Sequence, residues 1–146
     1  MFDELEKYQN QGHFFFEKGS VLSEVSKDVP NEASVYIVYK LAKGKITLVY
    51  VGKSGTMNQN GTFKDQKLRK RLNTCIERSR NDKHEGVKRQ IYFENKIEEE
   101  NIDALDIYWY VTFDKTQQDL PAFVEGLLLQ RYFEAYGELP TWNKAC

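Results

Sequence analysis

Two runs near the middle of the first half, SVYIVYK (34–40) and ITLVYVG (46–52), are almost wholly β-branched or aromatic, the pattern of buried strands. The short linker LAKGK between them contains Gly44, so the pair reads as an antiparallel hairpin. A third run of the same kind, LDIYWYVTF, occupies 105–113. Elsewhere the period changes to that of a helix. Leu68, Leu72, Cys75 and Ile76 make one stripe of a helix predicted from Asp65 to Arg80, with Lys67, Lys70 and Arg78 on its opposite face. Val124, Leu127, Leu128 and Arg131 make a stripe over 120–136, with Pro121 suited to its first turn, Asp119 to its cap and Gly137 to its end. Val87, Ile91 and Ile97 suggest a further helix over 87–100.

The first residues are less regular. Phe2, Leu5 and Tyr8 recur at about one helical turn, before the aromatic knot Phe14-Phe15-Phe16. A short helix is expected from Val21 to Val25 and a turn at Pro30-Asn31. The stretch 54–63, with two Gly and two Asn, has no period and reads as a loop. The expected layout is therefore an α/β domain with a small three-stranded antiparallel sheet flanked by helices. Residues 1–33 form an N-terminal helical arm packed on a single globular unit, 34–146.

Composition narrows the class. The chain has 146 residues, enough for one domain with its own core. No apolar run approaches the roughly 20 residues of a membrane span, and MFDELEKYQN lacks a signal-peptide core. Cys75 and Cys146 are far apart and make neither a metal spacing nor a disulfide framework, which fits the cytoplasm. A net charge of -1 excludes a strongly basic nucleic-acid binder, yet the charge is uneven. Residues 64–89 hold ten Lys or Arg against four acids, whereas 94–106 hold six acids and only Lys96. The first segment suits a phosphate backbone, or is simply a solvated face.

Several residues stand out chemically. Tyr36 and Tyr50 lie on the hairpin, and Gly52 and Lys53 directly follow Tyr50. Gly52 lets a backbone or ligand approach closely. Arg69, Lys70 and Arg71 crowd one turn of the cationic helix. Glu125 interrupts the apolar stretch VEGLLL; a carboxylate there needs a partner, either a divalent cation or a salt bridge such as Arg131. Asn143 sits in the tail WNK beside Trp142. Each tyrosine on a strand is equally ordinary sheet packing. His13 adjoins the aromatic knot and His84 lies in a polar turn; neither suggests a zinc site.

In order along the chain, SVYIVY, LVYVGKSG, LRKRL, the helix Glu and the final Asn resemble the GIY-YIG nuclease superfamily, nearest to its nucleotide-excision-repair branch. The Gly-Ile-Tyr signature looks like Ser34-Val35-Tyr36, and Tyr-Ile-Gly looks like Tyr50-Val51-Gly52. Lys53 matches a lysine common in that branch. The match makes Arg71 the family's arginine, Glu125 its metal-binding glutamate and Asn143 its late asparagine, with Gly52, Arg69 and Lys70 toward the substrate. Departures are Ser34 in place of glycine, a longer loop over 54–67, a longer Glu125-to-Asn143 gap, and Cys75 where an aromatic is frequent.

The resemblance implies a divalent-metal-dependent endonuclease, a hydrolase of DNA phosphodiesters. Tyr50 is the first choice for the base that takes a proton from water, and Tyr36 orients it or the phosphate. Arg71 braces the developing negative charge, Lys53 supports the tyrosinate, and Mg²⁺ (or Mn²⁺) on Glu125 neutralises the leaving oxygen. DNA is the expected partner, with no membrane role. Substrate choice would come from the 54–67 loop, the N-terminal arm, a homodimer or a larger protein assembly. The alternatives are a noncatalytic nucleic-acid-binding module and a protein-interaction domain of the same fold.

Overall fold

The computed structural model describes residues 1–63 and 89–145. The predicted helix Asp65–Arg80, with Arg69, Lys70, Arg71 and Cys75, and the turn carrying His84 lie outside the described residues, as does Cys146. In chain order the elements are a 3-10 turn (Asp3–Lys7), β1 (Gln11–Phe16), α1 (Leu22–Val25), β2 (Ser34–Ala42), β3 (Lys45–Ser54), α2 (Arg89–Glu99), β4 (Ala104–Val111) and α3 (Pro121–Tyr136).

Among the described residues the sheet has four strands, not the expected three, all antiparallel and in the order β1-β4-β2-β3. The predicted hairpin is present. Lys43 and Gly44 turn it with φ of 53° and 73°, a left-handed pair that matches the twist of the flanking strands. A bulge between Val38 and Tyr39 shifts its register.

The extra strand corrects the reading of residues 1–33 as a helical arm. Only Asp3–Lys7 and Leu22–Val25 are helical, each about one turn. Gln11–Phe16 is extended and pairs residue by residue with Tyr110–Leu105 of β4. Aromatic side chains fit a pleated, half-buried surface. Phe14 and Phe16 turn inward to the core while Phe15 is 51 % exposed, the alternation of a strand. Gly12 permits the close crossing of Trp109, whose ring atoms would lie 2.7 Å from a Cβ there.

Alternation sorts the core onto two faces of the sheet. On one face Tyr36, Val38, Leu105, Ile107, Trp109 and Val111 pack with Phe93 and Ile97 of α2 and with Leu22 of α1. On the other, Val35, Ile37 and Val51 pack with Val124, Leu128 and Leu129 of α3, together with Leu5 and Tyr8.

α3 ends as expected, on a left-handed Gly137 whose N–H bonds Phe133. Its start differs. The cap residue is Leu120, and Asp119 makes no side-chain cap bond. The Asp119 carboxylate instead accepts from Tyr8 (2.6 Å) and from Lys7 (2.7 Å), tying the N-terminal turn to the base of α3. Among the described residues, no helix is long and apolar enough to cross a membrane.

Candidate functional site

The hairpin positions the centre of the site. Tyr36 and Gly52 are cross-strand partners, and Tyr50 stands two residues from Gly52 on the same edge strand. The Tyr36 and Tyr50 rings lie 5.8 Å apart at 40°. Gly52 is what lets them meet. A Cβ at residue 52 would fall 2.5 Å from Tyr36 Cζ, 2.7 Å from its hydroxyl and 2.7 Å from Tyr50 Cε1. Tyr36 is buried, whereas Tyr50 is half-buried, so solvent meets the pair mainly at Tyr50.

The arginine found here is Arg89, the first described residue of α2. It is only 3 % exposed, and its guanidinium lies 5.6 Å from the Tyr36 ring and 5.9 Å from the Tyr50 ring. Its Nε is buried with no hydrogen-bond partner among the described residues. Aromatic faces attract a guanidinium, but they leave its in-plane N–H groups without acceptors. A desolvated donor in that condition costs about 1–3 kcal/mol until an acceptor arrives. The Arg89 charge also acts on neighbouring Tyr92, whose hydroxyl is pushed up to about 12, first by burial and next by Tyr50, with Arg89 pulling the other way.

Sequence reasoning did not single out Arg89. The signal was present but weak: Lys88-Arg89 closes the basic segment 64–89 directly before the apolar run Ile91-Tyr92-Phe93.

The remaining expected residues distribute as follows. Lys53 pairs in register with Val35, whose side chain belongs to the α3 face, so Lys53 points away from the tyrosine pair. Glu125 is half-buried on α3, beside Val124 of that second face. The sheet thus separates Lys53 and Glu125 from Tyr36, Tyr50 and Arg89. The two sets share one end of it, where β2 starts, β3 ends and the bond from Asp119 N–H to the Thr112 carbonyl brings the start of α3 back beside the end of β4. Arg131, considered as a partner for Glu125, instead bonds Glu4 at 2.8 Å.

Asn143 reaches the site through its backbone contacts. Its Oδ1 accepts from Val51 N–H and its Nδ2 donates to the Val51 carbonyl, both at 2.9 Å. Just before it, Trp142 N–H bonds the Val49 carbonyl at 2.9 Å. The tail therefore lines the outer edge of β3 on both sides of Tyr50. It is anchored by the buried Trp142 ring, whose Nε1 donates to Glu100 at 3.0 Å. Arg69, Lys70 and Arg71 lie outside the described residues.

Comparison with protein-family models, with curated proteins and with solved structures gave no match.

Proposed function

We propose that this chain is a divalent-metal-dependent endonuclease that hydrolyses DNA phosphodiester bonds, with Tyr50 as the residue that meets the attacking water and Tyr36 as its neighbour and orienter. The observation that carries the reading is the buried Arg89 guanidinium, over both tyrosine rings and with its Nε–H unmatched among the described residues. A phosphate oxygen would supply the acceptor missing among the described residues, and a guanidinium is suited to brace charge developing on it. Resemblance to the GIY-YIG pattern supports the same chemistry through Tyr36, Tyr50 and Gly52.

Mg²⁺ binds through one or two carboxylates and keeps several waters, so a single half-buried carboxylate, Glu125, is a fitting protein ligand. When bound, such an ion supplies charge neutralisation for a leaving oxygen. DNA would have to reach both residue sets around the shared end of the sheet.

One pair of observations favours a second reading, a noncatalytic nucleic-acid-binding or protein-interaction module. Tyr36 and Arg89 are 1 % and 3 % exposed, as structural packing would require.

Plasmid nicking with Mg²⁺ or Mn²⁺ separates the two readings. The nuclease reading expects cutting by wild type and its loss in Tyr50→Phe, Arg89→Met and Glu125→Gln. Salt-dependent DNA binding without cutting in either metal would support the second reading. Equal cutting by all four proteins would remove these residues from the mechanism.

A further inference from the structure

We propose that Asn143 is a positioning residue: through the Val51 backbone it holds Tyr50 of the edge strand β3 in place against Tyr36. Among the described residues β3 has β2 on one side only. Along its outer side the peptide groups that flank Tyr50 would face water, and a strand edge held from one side is free to twist and fray. The tail removes that freedom where the candidate site sits.

Trp142 N–H takes the Val49 carbonyl, and the Asn143 amide takes both the N–H and the carbonyl of Val51. Three bonds thus fix the residues immediately before and after Tyr50. Val51 N–H belongs to the peptide that leaves Tyr50, and the Val51 carbonyl to the peptide that enters Gly52. One side chain therefore sets the spacing between the tyrosine and the glycine gap in which the rings meet.

The amide offers a donor and an acceptor on separate atoms, as the paired Val51 N–H and carbonyl require. Aspartate keeps the acceptor for Val51 N–H but sets a carboxylate oxygen against the Val51 carbonyl. With both amide atoms engaged on the backbone, Asn143 acts through β3 and not as a contact to the substrate. The Trp142 anchor, held by Glu100 and by Tyr92 at 5.8 Å, keeps the tail in place independently of position 143.

The catalytic consequence rests on the nuclease reading; the mechanical part does not. The test uses the full chain as wild type, Asn143→Ala and Asn143→Asp. By NMR, Val51 amide exchange should quicken by about tenfold or more in both variants, and Tyr36–Tyr50 ring cross-relaxation should weaken, while the Trp142 indole signal keeps its position. In plasmid nicking, kcat should fall by about 10²-fold with KM for DNA little changed, the effect of misplacing a reacting group by about 1 Å. Val51 exchange as slow in Asn143→Ala as in wild type overturns the proposal. So does a raised KM with unchanged kcat, which would make Asn143 a substrate contact. Should wild type not cut, the endonuclease reading fails by itself, and the exchange and ring signals still decide whether Asn143 holds Tyr50. If Asn143→Ala does not fold, the same measurements on Asn143→Asp decide it.

Discussion

Arg89 of α2 lies over Tyr36, with 5.6 Å between the guanidinium carbon and the ring centre. The relationship joins a helix to the strand it covers by a cation buried without a carboxylate within its described hydrogen bonds. It has opposite consequences for stability and for chemistry.

Arg89→Met tests that opposition. Replacing a buried, incompletely bonded cation with an apolar side chain of similar reach is often neutral or stabilising. Urea unfolding of Arg89→Met should therefore match or exceed wild type. Plasmid nicking should fall by about 10²–10³-fold, the loss expected when one preorganised donor to a developing oxyanion is removed. Lost stability together with retained cutting would make Arg89 a packing residue only.

Two glycines should respond with opposite signs. Gly52→Ala drives a methyl into the Tyr36 hydroxyl and the Tyr50 ring, at separations no real Cβ tolerates. The rings must part, at about 1–3 kcal/mol in unfolding free energy and with loss of cutting. Gly126, inside α3, has nothing within 4 Å of the corresponding position. Gly126→Ala should gain about 0.5–1 kcal/mol by helix propensity, read from the same unfolding curves.

Acid should weaken the fold through three carboxylates. Burial by itself raises the Glu100 carboxyl, but the bonds from Lys40 and Trp142 outweigh it and hold the group below its ordinary 4.5. The Lys7 and Tyr8 bonds hold Asp119 below its ordinary 3.8, and Arg131 does the same for Glu4 from 4.5. Each is depressed on folding, so its stabilisation is complete above the unfolded value and is lost as pH falls through the folded one. Unfolding free energy should be level above about pH 5 and decline below the ordinary values of 4.5 and 3.8. Glu100→Gln should flatten that decline; an unchanged slope would exclude Glu100 as a source. At the other extreme, burial pushes Tyr39 up to about 12 and, with Tyr50 adding to it, Tyr92 as well. A raised group stabilises below its unfolded value of 10 and loses that contribution as pH rises through the folded one, so tyrosinate absorbance and alkaline unfolding should rise together between 10 and about 12.

His13 gives a test of the strand that sequence reasoning missed. Its Nδ1 lies 2.8 Å from Asp106, and its ring stacks on Tyr108 at 4.7 Å and 11°. His13→Phe keeps a ring on Tyr108 but removes the bond to Asp106, whose side chain is 12 % exposed. A loss of about 1 kcal/mol is expected, with faster amide exchange concentrated in β1. A uniform change across all four strands would mean that β1 is not held separately by this pair.

The contrast between what was legible and what was not follows from range. The hairpin could be read because Val35 to Tyr39 and Leu48 to Gly52 are neighbours in sequence, with Gly44 between them. The Pro121 start and Gly137 end of α3 are equally local signals. β1 was hidden because Phe14 finds Ile107 and Phe16 finds Leu105, partners about 90 residues away, and nothing near the aromatic knot names them. The helical spacing of Phe2, Leu5 and Tyr8 was real but served a single 3-10 turn. Tyr36, Tyr50 and Gly52 were legible as a group because one hairpin carries all three. Arg89 was not, because its environment is made by two strands that precede it by dozens of residues.

The bulge between Val38 and Tyr39 carries a consequence for change over generations. It divides the hairpin into a half nearer the turn, with Ile46 largely exposed, and a half that holds the ring pair. An inserted or deleted residue near Lys43-Gly44 can be taken up before the offset, leaving the partnership of Tyr36 with Gly52 in step. The turn is thereby the place where this chain can vary in length without disturbing its aromatic centre.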